Sequence, residues 1–132
     1  FRMRADIVIY NLLKDNHIIF PQVVPQGVTV SDGNVYCVYN IFNTDAVVTK
    51  TSFNDYDRYE VQISFFSTDL NAAFTEAETA RTTLDRYTGT ITVDAVDYNV
   101  QLIRFMNQEL VGFDEDTEVF MVAADYKVTM TQ

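Results

Sequence analysis

Two stretches with a period of two constrain the fold most. From Arg58 to Phe66, the apolar Tyr59, Val61, Ile63 and Phe65 point one way, and Arg58, Glu60, Gln62 and Ser64 point the other. From Val119 to Met130, Phe120, Val122, Ala124, Tyr126, Val128 and Met130 share one face, opposite Asp125, Lys127 and Thr129. A period of two with one polar face describes strands covered on one side only, which antiparallel sheets permit. Between the two runs lies a helical pattern. Leu70, Ala73, Phe74, Ala77, Ala80, Leu84 and Tyr87 recur at helical spacing, with Glu76, Glu78, Arg81 and Asp85 on the opposite face. Thr75 and Glu78 have capping-box spacing, which predicts a regular helix from Thr75 to about Tyr87, a lead-in turn over Leu70 to Phe74, and Gly89 as terminator.

The remaining segments complete this pattern. Ala5, Val8, Ile9, Leu12 and Leu13 predict a first helix over about residues 3 to 15. Met3, Ile7 and Tyr10 fall outside its apolar stripe and ask for a second contact surface. Ile18 to Pro25 reads as a connecting segment ending in the Pro25-Gln26-Gly27 turn; Ser31 to Asn34 is a second turn signal, with Val28 to Val30 pairing across it as a small hairpin. Val35 to Phe42 is a strand apolar on both faces, with Val35, Cys37, Tyr39 and Ile41 against Tyr36, Val38 and Phe42. The polar stretch Asn43 to Asp57, which holds Phe53 and Tyr56, reads as a hairpin arm or loop available for contacts. Thr90 to Val93 and Tyr98 to Met106 form strand, turn, strand about Asp94 to Asp97, with Val100 and Leu102 on the more buried face. This order predicts one α+β domain over residues 1 to 132, a mainly antiparallel sheet of about four strands with two helices packed on one face.

Composition narrows the function. The 132 residues carry 19 acidic and 9 basic side chains, a net charge of −10 that disfavours phosphate-backbone binding. No apolar run approaches the ~20 residues of a membrane-spanning helix, so no membrane partner is expected. Arg2 and Arg4 ahead of Ile7 to Leu13 imitate a signal peptide, but no small-residue cleavage site follows. The start at Phe1 implies a first methionine cleaved, removed or left out. One cysteine and one histidine exclude a structural zinc site. Cys37, mid-strand among apolar neighbours, reads as a buried structural thiol, and His17 as a helix-end side chain meeting backbone carbonyls. No nucleophile elbow, phosphate loop or dinucleotide fingerprint is present. Asp114, Glu115, Asp116 and Glu118 form the densest acidic cluster but lack cation-loop spacing, so they read as a solvated or partner-facing loop. A small acidic ligand-binding domain is the competing reading. No catalytic residue, cofactor or metal is expected. The candidate contact residues are Met3, Ile7, Tyr10, Tyr36, Val38, Phe42, Phe53, Tyr56, Asp114, Glu115 and Asp116.

Laid end to end, the chain resembles the tail-terminator proteins of tailed bacteriophages, also called tail-completion or head-tail joining proteins. The resemblance rests on the N-terminal helix followed by Ile19-Phe20-Pro21-Gln22-Val23-Val24-Pro25-Gln26-Gly27 and the strand Tyr36-Cys37-Val38-Tyr39. It continues through Tyr59-Glu60-Val61-Gln62-Ile63-Ser64-Phe65-Phe66, the helix from Ala77-Glu78 to Leu84-Asp85, and Ala124-Asp125-Tyr126-Lys127-Val128. The chain departs from the pattern in a longer Ser31 to Asn34 insertion. The resemblance implies a non-enzymatic virion protein of the neck, assembled in the host cytoplasm. It implies a hexameric ring that caps the tail tube and ends its polymerisation. The expected partners are further copies of itself, the tail-tube protein and the head-completion proteins, with genomic DNA passing through an acidic lumen without specific binding. Another neck or head-completion component is the alternative within that class.

Overall fold

The computed structural model describes residues 5–21, 34–47 and 56–131. Its elements are α1 (Ala5–Leu13), β1 (Ile18–Pro21), β2 (Tyr36–Val47), β3 (Tyr56–Ser67), α2 (Leu70–Leu84), β4 (Gly89–Val93), β5 (Val96–Asp114) and β6 (Val119–Thr131). They form an α+β fold with one six-stranded sheet in the order β1-β2-β3-β6-β5-β4. Every neighbouring pair is antiparallel except β1 with β2.

The two alternating runs become the central strands. Ile63 of β3 lies between Tyr39 of β2 and Ala124 of β6. Val61, Ile63, Phe65, Val122, Ala124 and Val128 are all fully buried, as the alternation requires. Ala77 and Leu84 of α2 and Val8, Ile9 and Leu13 of α1 join the same core cluster, so both helices cover one face of the sheet. Apolar burial at these positions is the main force holding helices to sheet. Cys37 is fully buried in this core, and desolvation pushes its thiol well above the usual range. Tyr126 is also buried, its ring 5.6 Å from Phe105 in an edge-on contact, and burial pushes its hydroxyl up in the same way.

The sequence expectations are corrected at several points. The sheet has six strands, not about four, because Ile18–Pro21, read as a connection, pairs in parallel with Tyr36 to Tyr39. The intervening residues supply the chain length a parallel connection needs. Helix α2 starts at Leu70, not Thr75. Asp69 caps it, its Oδ1 accepting from the Asn71 N–H at 3.0 Å, while Ser67 Oγ accepts the Asp69 N–H at 3.1 Å. Thr75 instead sits inside the helix, its carbonyl accepting from Thr79 Oγ1. The helix ends at Leu84, with Asp85 extended and Arg86 in the left-handed region at φ 66°; Gly89 begins β4.

Leu102 is likewise misassigned by simple alternation. A bulge between Val100 and Leu102 shifts the phase of β5, so Val100 and Ile103 are buried and Leu102 is 41% exposed. Two more bulges follow, at Phe105/Asn107 and Leu110/Gly112. They explain why β5 continues to Asp114, well past the Met106 end that its pattern predicts. The Val28 to Val30 hairpin and the Pro25-Gln26-Gly27 turn lie outside the described residues.

Candidate functional site: the outer edge of strand β5

Strand β5 borders β4 only from Val96 to Val100. Immediately beyond, the segment after α2 seals its outer edge. The Arg86 N–H donates to the Ile103 carbonyl at 2.7 Å, and the Ile103 N–H donates to the Tyr87 carbonyl at 3.0 Å. Asp85 Oδ1 accepts the Phe105 N–H at 3.0 Å, and the Arg81 guanidinium lies 3.8 Å above the Phe105 ring. Past Phe105, no strand pairs with this edge among the described residues. Met106, Leu110, Val111 and Phe113 there are each more than two-fifths exposed. An open strand edge carrying large apolar side chains is the surface that proteins use to add a partner strand or seat a partner side chain. The three bulges twist this edge and limit indiscriminate edge-to-edge pairing.

Beyond this edge comes the turn to β6. Asp114, Glu115, Asp116 and Glu118 are all exposed there, with Asp114 Oδ1 accepting the Asp116 N–H at 3.0 Å and Glu118 at φ 57°. Phe113 and Phe120 pack across its base with ring centroids 4.5 Å apart. The acidic cluster is therefore a solvated hairpin turn of few residues. Among the described residues, no group of three or more His, Cys, Asp or Glu side chains is placed to hold a metal ion. Titration with calcium is expected to leave the thermal midpoint unchanged; a midpoint that climbs with calcium concentration, as linkage requires of a bound ion, contradicts this reading of the turn.

A second feature lies on the sheet face away from the helices. Arg104 of β5 is opposite Lys127 of β6, and Arg58 of β3 and Leu102 of β5 are both opposite Thr129. These five side chains line a depression of about 270 Å³. Leu102 and Arg104 also line a neighbouring depression of about 380 Å³ with Arg81, Asp85, Arg86, Ile103 and Phe105. Of the six described lysines and arginines, all but Lys14 therefore gather around the middle of β5. Four carboxylates accompany them: Asp45 opposite Arg58, Glu60 opposite Lys127, Asp125 accepting from Gln62 Nε2 at 3.2 Å, and Asp85 accepting the Phe105 N–H. On the open sheet face Arg58, Arg104 and Lys127 stand with Asp45, Glu60 and Asp125, so the formal charges there balance.

The candidate contact residues fall in different places. Tyr10 is 41% exposed on α1, whereas Ile7 is partly buried against the core. Tyr36 stacks on Phe20 with centroids 6.3 Å apart, and Val38 is buried among its own chain's neighbours. Phe42 and Tyr56 stand in β2 and β3, the former at a bulge between Ile41 and Asn43. Met3 and Phe53 lie outside the described residues. Among the described residues, the Asp114 to Asp116 turn is the part of the set that adjoins the exposed edge. His17 departs from expectation. It is buried, and its Nδ1 lies 2.5 Å from Glu76 Oε1 outside hydrogen-bond alignment, so it meets α2 instead of carbonyls at its own helix end. The grouping of Arg58, Arg104 and Lys127 has no linear signal, since they are separated by tens of residues and only strand register unites them.

No family model matches the chain, and no curated protein matches it. Among solved structures, it is similar to a chain in the virion of a native gene transfer agent particle, with a TM-score of 0.57 at 14% identity. The similarity covers 98% of this chain and 88% of that one. At that identity the likeness is one of fold, carried through nearly the whole of this chain.

Proposed function

We propose that this chain is a structural, non-enzymatic component of a phage-like virion, and specifically a tail terminator. In this reading its copies form a ring, six-membered by the resemblance, on the last layer of the tail tube, ending polymerisation and offering the head-completion proteins their joining surface. The observation that carries the reading is the end-to-end fold likeness to a chain of a gene transfer agent virion. The order of sequence segments shared with tail terminators supports it. An open strand edge flanked by exposed apolar and acidic side chains is the surface such a role needs, because ring subunits must present one face to a neighbour and another to the tube. The mechanism is surface complementarity, with no bond made or broken. An image of the assembled particle in which this chain is traced tests the assignment. Density for it at the head-proximal end of the tail tube is the expected result; density in the capsid shell or at the distal tip overturns it.

A further inference from the structure

We infer that the open edge of β5 from Met106 to Asp114 takes up an extended segment of another protein, one whose side chains alternate between apolar and basic. The inference rests on the reading of this chain as an assembly component and names the kind of partner its edge fits. Beyond Phe105 the strand pairs only with β6 among the described residues, which leaves its outer edge available to extend the ladder. Register sorts the side chains along it. Leu110 and Phe113 lie opposite Val122 and Phe120, on the side of the sheet that the helices cover, and both are 46% exposed. Glu109 and Asp114 lie opposite Ala123 and Val119, on the other side. Between them on that side stands Gly112, where an added Cβ meets nothing within 4 Å, so the stem of a long basic side chain has room. The bulge between Leu110 and Gly112 takes up Val111 and keeps this sorting in phase with β6. A strand added here therefore sets apolar side chains beside Leu110 and Phe113, and its alternate side chains beside Glu109 and Asp114.

Charge selects the occupant. From Phe105 to Tyr126 the chain holds six carboxylates, at Glu109, Asp114, Glu115, Asp116, Glu118 and Asp125, and no lysine or arginine. The next strand across the sheet supplies no cation, since Gln62 to Ser67 of β3, opposite Phe120 to Asp125, are all uncharged. Arg81, over the Phe105 ring, marks the boundary of this acidic stretch. A basic partner is therefore favoured, and a second copy is not. Two β5 edges would bring Glu109 and Asp114 against their equivalents. The outer strands β1 and β4 carry no lysine or arginine, and Pro21 of β1 has no N–H to donate. Because bulges at Phe105/Asn107 and Leu110/Gly112 divide the edge into short regular pieces, backbone pairing alone is weak, and the side chains decide which segment fits.

Capped peptides of about eight residues, an ordinary strand length, test this against the full-length chain. One alternates lysine with valine, one alternates glutamate with valine, and one is the lysine peptide with its backbone N-methylated, which keeps the charges and removes the N–H donors. Titration and amide hydrogen exchange are read by NMR. The lysine peptide is expected to bind and to protect amides between Met106 and Asp114, roughly tenfold or more tightly than either other peptide and less so as salt is raised. The double variant Glu109→Lys with Asp114→Lys, at two exposed positions, is expected to prefer the glutamate peptide, with circular dichroism verifying its fold. No binding of the lysine peptide, equal binding of its N-methylated form, protection on β1 or β4 instead, or an unchanged preference in the double variant overturns the proposal. An edge already protected by self-association of the wild-type chain also overturns it, since a second copy is then the occupant. None of these failures touches the position of the chain in the particle, which the traced image decides separately.

Discussion

Replacing Ile63 with alanine is expected to destabilise the fold by about 2 to 5 kcal/mol, the range for removing a large aliphatic side chain from a packed core. Ile63 is fully buried on β3, hydrogen-bonded through its strand to β2 on one side and β6 on the other. It has no edge toward which neighbours can relax, so a cavity should persist. For a domain of this size each kcal/mol moves the thermal midpoint by roughly 3 to 6 °C, so the loss is large in a melting curve. Gln62→Ala is the control. Gln62 is on the open face and donates to Asp125 at 3.2 Å, a part-buried bond whose loss should cost only about 1 kcal/mol. A one-residue slip in strand register would exchange these outcomes, because it turns Ile63 outward and Gln62 inward. Equal midpoints for wild type and Ile63→Ala would therefore contradict the register of the central strands.

The parts of this fold legible in the sequence are those where one periodicity dominates. β3 alternates from Arg58 to Phe65 and β6 from Ala124 to Thr131, and each of their apolar positions whose burial the structure describes is buried or partly so. The core stripe of α2 is equally plain, with Ala73, Ala77, Ala80 and Leu84 all fully buried. Strand β5 is not legible, and the reason is physical. Its three bulges each insert one residue, so the alternation changes phase at Val100/Leu102, Phe105/Asn107 and Leu110/Gly112. A reader following period two assigns Leu102 inward and loses the strand beyond Met106. β1 is too short, at four residues, to show a period at all. For the start of α2, two local solutions compete, and Asp69 prevails over Thr75 because its cap coincides with the end of β3 and is braced by Ser67.

The interaction surface divides in the same way. The acidic turn is visible as a run of neighbouring residues. The depression lined by Arg58, Arg104 and Lys127 is assembled across β3, β5 and β6 by register, and no linear spacing announces it. The open edge of β5 follows from β4 being much shorter than the strand it borders, five residues against nineteen, a mismatch invisible until both are paired.

On the proposed tail-terminator reading, the largest effect expected of this chain is on particle assembly. A tube built by one repeating head-to-tail interface has no intrinsic stop, because each added layer presents the same growing end as the last. A terminator must copy the tube's next layer on one face and withhold the repeat on the other. Removing it leaves the growing end available and deprives the head of its joining surface, so one deletion should disturb both tail length and head attachment. A catalyst or a ligand-binding domain has no such paired consequence.

Electron microscopy of particles produced without this chain therefore tests the account most directly. The expected images show overlong tails, or tails and filled heads that fail to join, with both defects reversed when the chain is supplied again. Tails of normal length, joined to filled heads, would contradict it.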